Sequence, residues 1–260
     1  LLSNTEPEFI STGFKKLDEL LNGGLYPSLY CSGATTGGGK TSLAMQMMEN
    51  VAQAGRDVIV FTLEMSKREL TARSLSRLTY ILATEGGLGS NKAKSTRNVM
   101  YGYNFKQFSK DEKELFYKSC DKYSEYANHL FIGEGNMNVG VNQIVDVVNR
   151  HIAITGRKPV VLVDYLQILQ PMIDKYSDKQ SIDRSITALK KMSRDYDIPV
   201  VVISSLNRTS YKDDAGEDAF KESGAIEYSV DVLLAVQPSG KGENGYNDEE
   251  AMKKNVRAMD

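Results

Sequence analysis

Six short apolar segments, separated by segments of helical periodicity, constrain the fold of this chain more than any other feature. Each is four or five residues long, which is typical of strands buried on both faces of a parallel sheet. They lie at residues 29–32, 58–62, 130–133, 160–163, 200–204 and 232–236. The alternation predicts an α/β fold, in which helices cover both faces of a mostly parallel sheet.

The helical segments have apolar stripes and recognisable ends. Stripes at 141–152 and 182–196 end at Gly156 and before Pro199, as helices commonly do. Residues 83–113 differ, because they are rich in Gly, Ser, Asn and Lys and show little periodicity. We expect this stretch to be an insertion or a mobile connection on the surface.

A glycine-rich run follows the first strand and opens a helix. Three glycines at 37–39 let backbone N–H groups turn inward, Lys40 supplies a cation, and Thr41 offers a hydroxyl to magnesium. The phosphate-loop signature has glycine six residues before the lysine, where this chain has Ala34 with Gly33 before it. A flexible loop without a ligand is the alternative. The expected nucleotide contacts are Gly33, Ala34, Thr35, Thr36, Gly37, Gly38, Gly39, Lys40, Thr41 and Ser42.

Two carboxylates follow buried strands and are expected at the same edge of the sheet. Asp164 ends the fourth apolar segment, where it can hold the water shell of a magnesium ion together with Thr41. Glu64 follows the second segment and can act as general base toward water, while Lys40 holds the γ-phosphate. The alternatives are a turn-forming Asp164 and a Glu64 that only helps to start a helix near Ser66. The expected catalytic residues are therefore Glu64, Lys40 and Asp164.

Composition restricts the class of protein without deciding its function. The chain has 260 residues, 41% of them hydrophobic, a net charge of −2 and two cysteines without metal-type spacing. This predicts a soluble protein of the reducing cytosol with one large domain. We expect no membrane partner, because no apolar run reaches the length of a membrane span. A net charge near zero argues against a broad surface that binds nucleic acid, but this net charge is compatible with a narrow basic loop that contacts nucleic acid.

Five motifs, in this order, resemble the DnaB-type replicative helicases, whose motor domain is a RecA-like P-loop NTPase. They are STGFKKLDEL at 11–20 with GL at 24–25, TLEMS at 62–66, VDYLQ at 163–167, SSLNR at 204–208, and ESGAIE at 222–227 with Asp231. The resemblance implies a motor domain at 9–260, preceded by a linker remnant at 1–8 and truncated at its carboxyl end.

The resemblance also implies a ring-forming ATPase, usually a hexamer, that uses ATP and Mg²⁺ to translocate on single-stranded DNA. Its partners would be DNA, further copies of itself, and a primase or helicase loader. By family position, the DNA loops fall near 170–181 and 209–219, and Ser205 and Arg208 lie beside the nucleotide. The implied DNA contacts are Lys175, Lys179, Arg208 and Lys212.

Two departures from the family limit what carries over. Ser205 stands where the family commonly has a glutamine that senses the γ-phosphate. The family's trans-acting Lys and Arg fingers have no clear match in this sequence, and Lys253, Lys254 and Arg257 are not safe substitutes for them. We therefore expect slow hydrolysis by this chain alone. Two alternatives stay open, a RecA-like ATPase of recombination or helicase loading, and a nucleotide-switched DNA-binding module with weak turnover.

Overall fold

The computed structural model describes residues 8–34, 37–135, 139–164, 166, 169, 178–205, 229–238 and 257–259. The strands within them are β1 (Leu29–Ala34), β2 (Val58–Thr62), β3 (Leu130–Glu134), β4 (Val160–Asp164), β5 (Val200–Ser205), β6 (Val232–Pro238) and β7 (Arg257–Met259). They form one sheet in the order β3-β2-β4-β5-β1-β6-β7. Strands β1 to β6 are parallel, and β7 pairs antiparallel to β6.

Helices cover both faces of this sheet. They are α1 (Lys15–Leu20), α2 (Lys40–Gln53), α3 (Lys67–Glu85), α4 (Thr96–Tyr101), α5 (Lys110–Ala127), α6 (Val141–Thr155) and α7 (Asp178–Tyr196), with 3₁₀ turns at Ser90–Lys92 and Phe105–Gln107. One hydrophobic core packs α6 and α7 against the sheet, and a second core on the other face contains residues of α2, α3 and α5. None of the described helices has the length and apolar character needed to cross a bilayer.

The predicted α/β fold with a mostly parallel sheet is confirmed. All six predicted strands form, β2 with the predicted bounds and the others extending one or two residues further at the carboxyl end. The extensions occur because backbone pairing continues past the apolar run, as at Gly33 and Ala34, which pair with Ser204 and Ser205. Strand β7 was not predicted, because its three residues carry no strand pattern of their own and pair only along the edge of β6.

The stretch at 83–113 is mostly exposed, as expected, but it contains more structure than a connection. It includes α4, whose N-cap Ser95 accepts a bond from the Asn98 N–H while the Asn98 side chain accepts from Ser95 N–H. Such reciprocal caps form locally and need no apolar periodicity, which is why the sequence pattern missed the helix. Lys94, in the same stretch, is buried, and its Nζ donates to Glu112 Oε1 at 2.6 Å.

The Lys94–Glu112 contact makes this part of the fold pH-sensitive. The hydrogen bond from Lys94, assisted by the Ser109 N–H, lowers the pKa of Glu112 from its ordinary 4.5 to about 2. Because the folded pKa is depressed, the contact stabilises the protein above pH 4.5 and this stabilisation is lost as the pH falls toward 2.

We expect Lys94→Met to lower the free energy of unfolding at pH 7 by about 1.5–3 kcal/mol, the size of a hydrogen bond to a charged group. Met retains the apolar contact with Phe108, over whose ring the Lys94 Nζ lies at 4.1 Å from the centroid. Chemical denaturation at pH 7 and at pH 3 checks this. The difference between the two proteins should shrink at the lower pH, and an equal loss at both would contradict the assignment.

Candidate nucleotide-binding and hydrolysis site

Residues 37–39, which precede α2, have backbone geometry suited to binding an anion. Gly37 and Gly39 have φ of 76° and 91°, in the left-handed region that favours glycine. A Cβ atom at either position would meet nothing within 4 Å, so the loop borders open space. Gly39 is the N-cap of α2, and no side chain caps that helix end. An uncapped helix N-terminus beside open space is suited to an anion, because its N–H groups and the helix dipole favour negative charge.

The first turn of α2 carries the side chains predicted to act on the nucleotide. Lys40 begins the helix and is half-buried, Thr41 is buried, and Ser42 is exposed. Gly33 and Ala34, predicted as part of the loop, are instead the buried last residues of β1. Their backbone hydrogen-bonds to the neighbouring strands, and Gly37 is the first residue described after them.

Asp164, the last residue of β4, has a buried carboxylate group. Its side chain is 1% exposed, and neither carboxylate oxygen has a hydrogen-bond partner in the described part of the chain. Burial raises the pKa of Asp164. The Thr41 hydroxyl lies near enough to lower this pKa although it does not meet hydrogen-bond geometry, the negative charge of Glu64 raises the pKa, and the Lys40 ammonium lowers it. These influences require the three side chains to lie near the carboxylate. The structure therefore brings Lys40, Thr41, Glu64 and Asp164 together, although they are distant in sequence.

The donor set around Asp164 fits a magnesium ion. Buried polar atoms in folded proteins nearly always have partners, so an unpaired buried carboxylate indicates a cation or a proton. Among the described residues no group of three or more His, Cys, Asp or Glu side chains could enclose a metal. Asp164 supplies one carboxylate and Thr41 one hydroxyl. This small protein donor set suits Mg²⁺, which usually keeps several water ligands and is also coordinated by substrate phosphates.

Glu64 lies in the turn between β2 and α3, with its side chain exposed toward the same edge. Ser66 caps α3 in a reciprocal capping box with Glu69, so the acid that starts this helix is Glu69. The capping box of this helix thus involves Ser66 and Glu69 rather than Glu64. The turn is tied to β4, since the Leu63 N–H donates to the Asp164 carbonyl oxygen at 2.7 Å.

Arg73 is a site residue that the sequence did not reveal. It is exposed on α3 and lies close enough to Asp164 to lower the pKa of that carboxyl. It also lines a cavity of about 620 Å³ between α2 and α3, which reaches Thr41 and Ser42. Arg73 stands between Arg68 and Arg77 in a helix with several basic residues, and only the position of α3 against the sheet distinguishes it.

Several predicted residues cannot be placed. Thr35, Thr36, Lys175, Arg208 and Lys212 lie outside the described residues. Ser205 ends β5 and Lys179 lies in α7, but only their backbone is described.

A family model described as “DnaB-like helicase C terminal domain” matches residues 10–258. The chain belongs to this family. Among its DnaB-like relatives, the replicative DNA helicase DnaB of Helicobacter pylori (strain J99) is 29% identical over 228 residues, which are 86% of this chain and 43% of that protein. That of Haemophilus influenzae is 28% identical over 237 residues, 87% of this chain and 46% of that protein. The chain thus spans less than half the length of these two relatives.

Two solved structures share the fold of this DnaB-like chain. One, described as an ATPase domain, is 20% identical, with a TM-score of 0.75 over 95% of this chain and 81% of that one. The other, described as a DnaB-like replicative helicase and its interactions with primase, is 21% identical, with a TM-score of 0.72 over 95% of this chain and 55% of that one. At these identities the likeness establishes the fold alone, which is the predicted RecA-like ATPase fold of DnaB-type proteins.

The unpaired carboxylate predicts that Asp164→Asn stabilises the nucleotide-free protein at pH 7. A raised folded pKa means that the ionised wild-type carboxylate costs stability above that pKa, and the cost disappears below the ordinary value of 3.8, where both states are protonated. Denaturant titrations at pH 7 and at pH 3.5 check this, in the absence of nucleotide. The variant should be more stable at pH 7 with a gap that closes at low pH, and a variant that is less stable at pH 7 would contradict the assignment.

Proposed function

We propose that this chain is the motor domain of a DnaB-type replicative DNA helicase, which hydrolyses ATP to move along single-stranded DNA and unwind duplex DNA during replication. The observation that carries the proposal is the buried carboxylate of Asp164, whose oxygens have no hydrogen-bond partner among the described residues, beside Thr41 at the uncapped amino end of α2. Membership of the DnaB-like family and the names of the relatives support the choice of a helicase over other users of ATP.

Each residue of the site has a separate role in the proposed phosphoryl transfer. The backbone at 37–39 and Lys40 bind the phosphates, and the Lys40 ammonium balances charge on the γ-phosphate. Thr41 and Asp164 would hold Mg²⁺, which supplies further neutralisation of phosphate charge when bound. Glu64 orients the attacking water and accepts its proton. Arg73 adds a positive charge beside the same edge of the sheet.

Ring assembly and DNA translocation extend the proposal beyond the described residues. We propose a ring of like chains, a hexamer in the manner of the family, with ATP bound between neighbours. Lys175, Lys179, Arg208 and Lys212 would contact the DNA backbone, and Ser205 and Arg208 would face the nucleotide. The named interactions of one solved relative suggest primase as a partner, and a helicase loader is a second candidate. We propose residues 9–260 as the motor domain of a cytoplasmic protein, with 1–8 as a linker.

Steady-state ATP hydrolysis, measured with and without single-stranded DNA over a range of protein concentrations, tests the proposed motor. We expect stimulation by DNA and a cooperative dependence on concentration, because ATP would be bound between neighbouring chains of the ring. The rate itself should stay low, since a trans-acting finger contributes about 10³–10⁵ in rate and the sequence has no clear match to one. Tight ATP binding with a slow rate that responds to neither variable would instead favour the nucleotide-switched binding module. Strand exchange by the protein would favour the recombination ATPase.

Two substitutions separate binding from chemistry. Lys40→Ala should weaken ATP binding by at least about tenfold and abolish hydrolysis, because it removes the cation that holds the phosphates. Glu64→Gln should leave the Kd for ATP nearly unchanged and lower kcat by about 10²–10⁴, the usual contribution of a general base. Glu85→Gln, at the far end of α3, is the matched control and should resemble the wild type. Equal loss of ATP binding in both site variants would refute Glu64 as the base.

A further inference from the structure

The short turn between β2 and α3 fixes where Glu64 lies. Strand β2 ends at Thr62 and α3 begins at Lys67, so four residues reverse the chain at the carboxyl edge of the sheet. The Glu64 carboxylate is exposed, and no hydrogen bond or ion pair holds it within the described residues. The position of this carboxylate therefore depends on the backbone that carries it.

The Thr62 hydroxyl closes this turn from inside. Thr62 is 1% exposed, and its Oγ1 donates to the Met65 carbonyl oxygen at 2.6 Å. The Met65 N–H in turn donates to Thr62 Oγ1 at 3.2 Å. One hydroxyl thus satisfies both backbone polar groups of Met65 and encloses Leu63 and Glu64. Only serine or threonine supplies a short side chain that donates and accepts in this way.

Two backbone hydrogen bonds attach the same turn to its neighbours. The Thr62 carbonyl oxygen accepts from the Gly135 N–H at 2.9 Å, just beyond β3. The Leu63 N–H donates to the Asp164 carbonyl oxygen at 2.7 Å. Close packing reinforces the first attachment, since a Cβ atom at Gly135 would lie 2.1 Å from Leu63 Cδ2. Thr62 is thus the side chain that completes a turn already joined to the candidate magnesium ligand.

We propose that Thr62 is a positioning residue for hydrolysis, which holds the Glu64 carboxylate against the attacking water without touching the nucleotide. The inference rests on the proposed role of Glu64 as general base. Without the hydroxyl, the Met65 N–H and carbonyl oxygen lose their shared partner and the turn can relax away from the sheet edge. A misplacement of about 1 Å at a reacting group can cost about 10² in rate.

The test compares Thr62→Val, Thr62→Ser and Thr79→Val in the full chain with ATP and Mg²⁺. Thr79 is a matched control on α3, because it is also buried and its hydroxyl donates to the Ser76 carbonyl oxygen at 2.7 Å and accepts from the Lys94 N–H at 2.8 Å. Thr62→Val should lower kcat by about 10–100-fold while the KM and Kd for ATP change by less than about threefold. Thr62→Ser should have a kcat within about threefold of the wild type, and so should Thr79→Val.

Amide hydrogen exchange at Met65 gives a readout that does not require turnover. Exchange should accelerate in Thr62→Val, and remain near the wild-type rate in Thr62→Ser and Thr79→Val. If Thr62→Val keeps the wild-type kcat while Glu64→Gln loses it, the positioning role is refuted and the proposed function stands. If Glu64→Gln keeps its kcat, the proposed base fails and the inference about Thr62 fails with it. Equal loss of kcat in Thr62→Val and Thr79→Val would assign the effect to stability and also refute the inference.

Discussion

A parallel sheet that is buried on both faces can place polar functional groups only where its strands end. The positions of the candidate site residues follow from this constraint. Strands β1, β2 and β4 are buried throughout, and each delivers its next polar group to the same edge. The glycine loop follows β1, the turn with Glu64 follows β2, and Asp164 ends β4. The helices that bury the sheet also supply the uncapped amino end of α2. Packing and function therefore depend on the same parallel pairing.

Two buried aspartates of the described chain differ in whether their carboxylate oxygens have partners. Asp57 lies just before β2, where His129 Nδ1, His151 Nε2 and Arg157 contact its oxygens at 2.8, 3.1 and 2.9 Å. Those contacts give both histidines a structural role. Asp164, at the opposite end of the strands, has no partner on either oxygen in the described part of the chain. Its unpaired burial costs stability in the free protein, and a bound cation would remove the cost.

Much of this arrangement was predictable from the sequence, because its causes are local. Apolar runs specify the six parallel strands, and three successive glycines before Lys40 specify the loop. The remaining features depend on contacts between distant residues or on short polar motifs. Arg73 lies near the site only because α3 packs beside α2. Helix α4 begins at a Ser95 cap, and an apolar stripe does not predict such a cap. In the sequence, Thr62 is only the last residue of a strand. Its further role depends on the hydrogen bonds between its hydroxyl and both backbone groups of Met65, which the structure shows.

We propose that one edge of the sheet binds a magnesium nucleotide through Lys40, Thr41 and Asp164, with Glu64 directed at the γ-phosphate. A crystal structure of the chain with Mg²⁺ and a non-hydrolysable ATP analogue tests it most directly. We expect the phosphates against the backbone at 37–39, the metal ion between the Thr41 hydroxyl and the Asp164 carboxylate, and Glu64 within reach of a water in line with the γ-phosphate. A nucleotide bound elsewhere, or an Asp164 that stays unpaired beside bound phosphates, would contradict it.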